Sequence, residues 1–187
     1  MSNLIGSNEI QNDLARYRDS TNLVIASQLF DDPVRRDAFT TLYSVMRLID
    51  DTVDAVFERT VTVEERRSIA ASLKYWESMI HSTYCGQPQS DFAVKLSEIN
   101  QRYAIPQSLW QNFFRAMWMD YDGVVFDTID HFKQDCEGAS VAATTIYLML
   151  IGAQTSELGP DHSGNFDYLS TARNLGISAY THHFPRD

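Results

Sequence analysis

Apolar residues recur every three or four positions along most of the chain, which is the spacing of one face of an α-helix. The clearest case is the stretch 42–56, LYSVMRLIDDTVDAV. Its apolar stripe consists of Leu42, Val45, Met46, Ile49, Val53 and Val56. No long alternation of apolar and polar residues, typical of strands, is present. The pattern therefore predicts an all-α fold in a single domain over residues 1–187.

Capping and turn residues divide this pattern into separate helices. Asp32 and Pro33 are typical of an N-cap followed by the first helical position. Thr62 and Glu65 have the spacing of a capping box. The predicted helices cover 9–18, 23–30, a long central helix from 33, 62–83, 91–103, one from 107, 129–151 and a last one from about 166.

Three later stretches add further expectations. The small residues of 136–143 allow either a close approach of helices or room for a ligand, and Gly138 predicts a kink or such a close approach. Residues 159–165 predict a loop. An aromatic stripe from 107 onward is either core packing or the wall of a site for a long apolar ligand; its members are Trp110, Phe113, Phe114, Met117, Trp118 and Tyr121.

Charge and cysteine content narrow the class of function. The chain carries 15 basic and 25 acidic residues, a net charge of −10, which argues against binding nucleic acid or anionic lipid electrostatically. Cys85 and Cys136 lack metal-ligand spacing and predict a reducing compartment without disulfides. The N-terminal residues lack an apolar signal core, and the apolar run 141–153 is too short to span a bilayer. We therefore expect a soluble, cytoplasmic protein.

The polar stripe of the central helix is the first candidate site. Tyr43, Arg47, Asp50 and Asp54 are spaced 4, 3 and 4 apart, so they share one helix face. Because an unpaired buried charge costs several kcal/mol, this face needs water, close partners or a metal. Asp50 and Asp54 lie about 6 Å apart along the axis, which suits Mg²⁺ holding substrate phosphates. The alternative is an acidic helix surface on which Arg47 pairs with Asp50 or Asp51.

The predicted last helix repeats this arrangement. Arg173, Gly176, Tyr180, His183 and Asp187 are spaced 3, 4, 3 and 4 apart and share one face. Two helices whose polar stripes end in aspartate can face each other and hold metal ions between them. Surface helices would explain each stripe separately but not their matching order, so the pair predicts a metal–diphosphate site.

Four stretches together resemble the squalene/phytoene synthase family, all-α enzymes that condense two prenyl diphosphates head to head using Mg²⁺. They are LFDDPVRRDAFTTLYSVMRLIDDTVD, AMWMD, CEGASVAA and LGISAYTHHFPRD, in the family's order and at about its spacing. The string Tyr-x-x-x-Arg-x-x-Asp-Asp-x-x-Asp in the first is far rarer than its aspartates alone. The resemblance runs from Ser20 to the chain's end and implies an isoprenoid-synthase-type helical bundle around a central cavity.

The resemblance implies roles for individual residues. Asp50, Asp54 and Asp187 take the metal-ligand and catalytic positions. Residues that contact the substrate are implied at Ser20, Thr21, Tyr43, Arg47, Asp120, Tyr180, His183 and Arg186. The implied cofactor is Mg²⁺, with Mn²⁺ as a substitute, and the implied substrate is a prenyl diphosphate. Expected partners also include a membrane surface that receives a lipid product and further copies of the chain, but no nucleic acid.

The chain also departs from the commonest family pattern. Tyr180 and His183 stand where glutamine and asparagine are usual, and Asp135 stands where an aromatic residue is usual. Pro185 occupies a helix-interior position, where it removes a backbone hydrogen bond. The partner of Asp187 one turn later, and the helices that close the cavity, fall beyond the last residue. We therefore expect a bundle truncated at its C-terminus and a chain with little or no synthase activity by itself.

Two other functions stay open from the sequence. The first is a class I terpene cyclase, because Asn174, Ser178 and His182 nearly form its Asn-x-x-x-Ser-x-x-x-Glu metal triad, with histidine in the last place. The second is a non-catalytic relative that keeps the helical scaffold and binds a partner or a lipid. Pro185 and the missing partner aspartate favour this second alternative.

Overall fold

The all-α class predicted from the periodicity is correct. A computed structural model describes residues 17, 21–58, 60–152, 154–156, 159–161 and 167–183, for some of them the backbone alone. Its elements are α1 (Thr21–Ser27), α2 (Pro33–Glu58), α3 (Val63–Tyr84), α4 (Asp91–Arg102), α5 (Gln107–Asp122), α6 (Ile129–Cys136), a π-helix (Glu137–Ala142), α7 (Ala143–Gly152), β1 (Gln154–Ser156), β2 (Gly159–Asp161) and α8 (Tyr168–His183). Of the predicted helix 9–18, only Tyr17 is among the described residues.

Local sequence signals set the starts of the two longest helices. Pro33 is the first residue of α2, and the Asp32 Oδ1 accepts a hydrogen bond of 2.9 Å from the Val34 N–H. Before α3, the Thr62 side chain accepts from the Glu65 N–H and the Glu65 carboxylate accepts from the Thr62 N–H. These bonds satisfy backbone donors that have no partner inside the helix. Both predicted caps are confirmed.

The segment after α7 differs from the predicted loop. β1 pairs with β2 in an antiparallel register that sets Thr155 opposite Pro160. Strands of three residues are too short to show the alternation by which a strand is predicted. The Gly159–Pro160 pair is typical of a turn, so the loop prediction is wrong for 159–161. Residues 162–165 lie outside the described part.

The core lies where α2, α3, α4, α5 and α7 meet. The apolar stripe of α2 is buried there except for the half-buried Val56, and Leu42, Val45 and Ile49 are fully inaccessible to solvent. The first four members of the aromatic stripe are buried in the same core and therefore support the packing interpretation: Trp110, Phe113, Phe114 and Met117. Among the described helices, none is both long enough and apolar enough to cross a membrane.

A buried hydrogen-bond network fixes α3, α4 and α5 relative to one another. The Asn100 amide donates to the Thr83 hydroxyl at 3.2 Å, and the Trp110 indole N–H donates to the Asn100 oxygen at 3.2 Å. The Ser97 hydroxyl donates to the Thr83 carbonyl at 3.0 Å. Because a buried polar group left unsatisfied costs about 1–3 kcal/mol, these bonds specify one packing of the three helices.

The π-helix packs against α5 with only enough room for glycine at position 138. A Cβ on Gly138 would lie 2.6 Å from the Ala116 Cβ and closer still to the Asn112 carbonyl oxygen. The close approach predicted at Gly138 is therefore confirmed. The π turn also interrupts the helix predicted as continuous over 129–151, and such turns are frequent at functional sites.

Replacing Gly138 with alanine should destabilise the fold, because α5 or the π-helix must shift to admit the methyl group. Overpacking typically costs about 1–3 kcal/mol, and we expect the free energy of unfolding to fall by that amount. Glu98→Ala, at an exposed position of α4, is the control and should change it by less than about 0.5 kcal/mol. Urea denaturation measures both variants. A Gly138→Ala variant as stable as the parent would contradict the close approach.

Candidate metal centre

The polar face of α2 gathers three carboxylates at the edge of the core. Ile49 and Val53 are buried, and they hold the adjoining face of the helix against the other helices. Asp50, Asp51 and Asp54 are half-buried, and each offers an oxygen within 4.8 Å of the others. Hard oxygen donors at this separation fit a divalent cation such as Mg²⁺. Asp51, which the resemblance did not assign, belongs to this cluster with the two predicted ligands.

Arg47 lies against two of these carboxylates. Its Nη1 is 2.8 Å from the Asp50 Oδ2, and its Nη2 is 2.6 Å from the Asp51 Oδ1. The Tyr17 hydroxyl donates to the other oxygen of Asp51 at 2.7 Å. Burial opposes the charge of Arg47, but the attraction of Asp50, Asp51 and Asp54 outweighs it and raises the pKa of Arg47. The ion pairs expected of an acidic helix surface are thus present, and so is the carboxylate cluster expected of a metal site.

The surroundings of Asp50 oppose its ionisation. Burial is the largest cause that raises the pKa of Asp50 to about 6, although 35% of its side chain is exposed. The negative charge of Asp54 and Asp51 acts in the same direction, and Arg47 acts against it. A bound cation would favour the ionised form of Asp50, which burial and the two neighbouring carboxylates disfavour.

Asp120, at the end of α5, belongs to the same acidic region. Burial, followed by the charges of Asp135, Asp50 and Asp54, raises the pKa of Asp120 to about 7. Asp135 is fully buried near the end of α6. The packing of α5 on the π-helix brings the two residues close enough for their charges to interact. The only sequence signal for Asp135 was that it stands where the resembled family usually has an aromatic residue.

An aromatic cluster borders the acidic face. The Tyr43 ring lies 6.0 Å from that of Phe39 and 6.4 Å from that of Tyr147, between ring centroids. The Tyr147 hydroxyl donates to the Met46 sulfur at 3.5 Å. Burial, then the charges of Tyr43 and Asp50, raises the pKa of Tyr147. The sequence analysis did not predict a role for Tyr147. Its only signal there is that it is the one tyrosine in the apolar run 141–153.

The predicted polar face of α8 packs against the π-helix along its first half. The Arg173 guanidinium donates to both oxygens of Glu137, at 2.6 and 3.1 Å. The Ser140 hydroxyl donates to the Gly176 carbonyl at 2.9 Å. A Cβ on Gly176 would lie 3.2 Å from backbone atoms of Val141, so this face of α8 is held close to the π-helix.

The other predicted site residues fall partly outside the described part of the chain. Three have a described helical backbone but not a described side chain: Thr21, Tyr180 and His183. Another three lie outside it altogether, as Pro185 does: Ser20, Arg186 and Asp187. The second metal-binding face of α8 therefore stays a prediction, while Tyr43, Arg47, Asp50, Asp54 and Asp120 are brought to one region.

A family model described as squalene/phytoene synthase matches residues 17–179. The chain belongs to the squalene/phytoene synthase family. No curated protein and no solved structure matches it.

Membership in this family supports the interpretation of the chain as a squalene/phytoene synthase-like prenyltransferase with a role in isoprenoid biosynthesis. The all-α fold agrees with that of the isoprenoid synthases. The squalene/phytoene synthase family binds prenyl diphosphates and is generally dependent on Mg²⁺. The carboxylate cluster of α2 is chemically suited to such an ion.

The acidic region should weaken the fold as the pH rises. A raised pKa means that the folded state binds the proton more tightly than the unfolded state, so stability falls between pH 3.8 and about 7 as Asp120 ionises. Asp120→Asn stays neutral and should be more stable than the parent at pH 8, with the difference vanishing below about pH 4.

Urea denaturation at pH 4, 6 and 8 measures this difference. Asp122→Asn, at an exposed position two residues further along, is the matched control and should show no such pH dependence. A stability difference between the parent and Asp120→Asn that is equal at all three pH values would show that burial does not oppose the charge of Asp120.

Proposed function

We propose that this chain is a prenyltransferase of the squalene/phytoene type, which condenses two prenyl diphosphates head to head with Mg²⁺ bound. The observation that carries the proposal is the cluster of Asp50, Asp51 and Asp54 beside Arg47, in a member of this family. Oxygen ligands of this kind suit Mg²⁺, which usually also contacts substrate phosphates, and Mn²⁺ accepts similar ligands.

Asp50 and Asp54 are the proposed metal ligands of α2, and Asp187 of the last helix is their proposed counterpart. When bound, Mg²⁺ supplies positive charge that stabilises the departing diphosphate. Arg47 can turn its guanidinium from Asp50 to a phosphate oxygen, because planar paired donors fit phosphate as well as carboxylate. Asp51 would keep the Tyr17 hydroxyl as a partner after that exchange.

The aromatic cluster has a separate role in the proposal. Phe39, Tyr43 and Tyr147 present ring faces and edges next to the acidic region. Aromatic faces attract cations, and an apolar wall keeps water from a reactive carbocation. These rings would therefore contact the prenyl chain beside the diphosphate.

The remaining proposed contacts are positions that the resemblance to the family assigns. Asp120 lies at the acidic region through α5. The other proposed substrate contacts are Ser20, Thr21, Tyr180, His183 and Arg186. A cytoplasmic location, with peripheral contact to a membrane that receives the apolar product, is part of the same proposal.

One observation favours the prenyltransferase over the terpene cyclase. Asn174 and Ser178 are exposed, and each lies about 160° around α8 from Gly176 at 100° per residue. Gly176 is the residue that faces the π-helix. The first two positions of the cyclase triad therefore point away from the packed face of α8.

Mg²⁺ and a prenyl diphosphate should bind cooperatively to the acidic face of α2. Titration with farnesyl thiodiphosphate, which resists ionisation, should show binding that strengthens when Mg²⁺ is present. Asp50→Ala combined with Asp54→Ala should weaken the Mg²⁺-dependent binding at least about 100-fold, because even the outer partners of metal ligands contribute about 10–100-fold.

The control is the double variant Asp122→Ala, Asp127→Ala, which removes two exposed carboxylates and should bind like the parent. Calorimetric titration of the three chains measures the affinities. Binding that ignores both Mg²⁺ and the loss of Asp50 and Asp54 would rule out the proposed site.

Product analysis separates the three candidate functions. The chain by itself is expected to give little or no product. Farnesyl or geranylgeranyl diphosphate incubated with Mg²⁺ and a chain that also carries the family's cavity-closing helices should give a linear product that joins two prenyl units, because the proposal assigns condensation rather than cyclisation. Gas chromatography with mass spectrometry identifies it. A ring-containing product from one prenyl unit would favour the cyclase, and metal-dependent binding without any product would favour the non-catalytic relative.

A further inference from the structure

A cysteine, a histidine and a glutamine meet at the end of α3. The Cys85 sulfur lies 3.4 Å from the His81 Nε2, and the nitrogen of the Gln107 side-chain amide lies 2.8 Å from the His81 Nδ1. Cys85 and His81 are both exposed, so small molecules reach the sulfur. This cluster lies at the start of α5, about 20 Å along that helix from Asp120.

The surrounding structure fixes the three side chains relative to one another. His81 and Cys85 are four residues apart, which sets them on adjacent turns of one helix face. Gln107 is the first residue of α5 and reaches back to α3. Beneath it, the buried bonds among Thr83, Asn100 and Trp110 hold the two helices in register.

The glutamine can orient the histidine for proton transfer. An amide group carries an oxygen on one side and an NH₂ group on the other, and a half-turn exchanges them. After such a half-turn from the observed arrangement, the Gln107 oxygen faces Nδ1, and the His81 ring keeps its proton there and presents the Nε2 lone pair to the Cys85 thiol. A nucleophile, a base and a group that orients the base are thereby brought together.

The charges around the cluster determine which reagents approach it. A cleft of about 110 Å³ beside His81 has an apolar floor that includes Trp110 and Phe114, and Glu77 lies at its rim. Cys85 itself caps the carboxyl end of α3, where the helix dipole is negative. With a net charge of −10 on the whole chain, this field attracts cations and repels anions.

We propose that Cys85 is a site of covalent modification by small cationic disulfides, with His81 as the proton acceptor and Gln107 as the residue that orients it. The thiol proton passes to the His81 Nε2, and the Cys85 sulfur forms a bond to one sulfur of the reagent. The reagent's S–S bond breaks, and its other half leaves as a thiolate that takes up the proton. Cys85 is oxidised to a mixed disulfide, and the released half is reduced to a thiol.

The first test compares reagents of opposite charge on the full chain. Cystamine is cationic and dithiodipropionate is anionic. For each reagent, the rate of reaction with Cys85 is divided by the rate of reaction with a short cysteine peptide. Intact-mass spectrometry with peptide mapping should show Cys85 reacting at least about tenfold faster with cystamine on this scale. Cys136, which is fully buried, is the internal control and should stay unmodified. Equal normalised rates, or modification of Cys136 alongside Cys85, would overturn the proposal.

The second test varies the histidine and the glutamine. His81→Ala should slow modification of Cys85 at least about tenfold, since a positioned base contributes about 10²-fold or more. Gln107→Ala should also slow it, whereas Gln107→Glu, whose carboxylate can only accept from Nδ1, should keep the parent rate or exceed it. His131→Ala, at a half-buried histidine of α6, is the matched control. An unchanged rate in His81→Ala would refute the role of the imidazole.

Discussion

The structure depends on one constraint, which is that α2 buries an apolar face directly beside an acidic one. Ile49 and Val53 are buried in the core, while Asp50 and Asp54 lie half-buried a residue away. Isolated carboxylates at such a position would cost several kcal/mol, so the edge of the core must remain polar. Arg47 offsets part of the negative charge, and the oxygens that remain are chemically suited to a cation.

The π-helix extends this constraint to the rest of the fold. Its close contact with α5 at Gly138 brings the buried Asp135 toward Asp120, so a second pair of carboxylates joins the first. On its other side, Glu137 and Ser140 hold α8 through an ion pair and a hydrogen bond to the backbone. One irregular turn thus connects the acidic region to the helix that carries the second predicted metal face.

The two ends of α5 serve different chemistry. At its carboxyl end Asp120 belongs to the acidic region, and at its amino end Gln107 orients His81 toward an exposed thiol. The buried bonds of Asn100 with Thr83 and Trp110 keep the amino end fixed on α3 and α4. The separation along a rigid helix is large enough for each site to be altered without contact with the other.

The sequence alone determined the helical class, the caps at Asp32 and Thr62, a kink or close approach at Gly138 and the shared face of Arg47, Asp50 and Asp54. Each of these features depends on the spacing and backbone chemistry of residues that lie close together in the chain. The roles of Tyr147, Asp135 and His81 could not be predicted in this way. Apart from Cys85, which lies four residues after His81, their partners are farther along the chain, and only the packing of the helices sets how close they come.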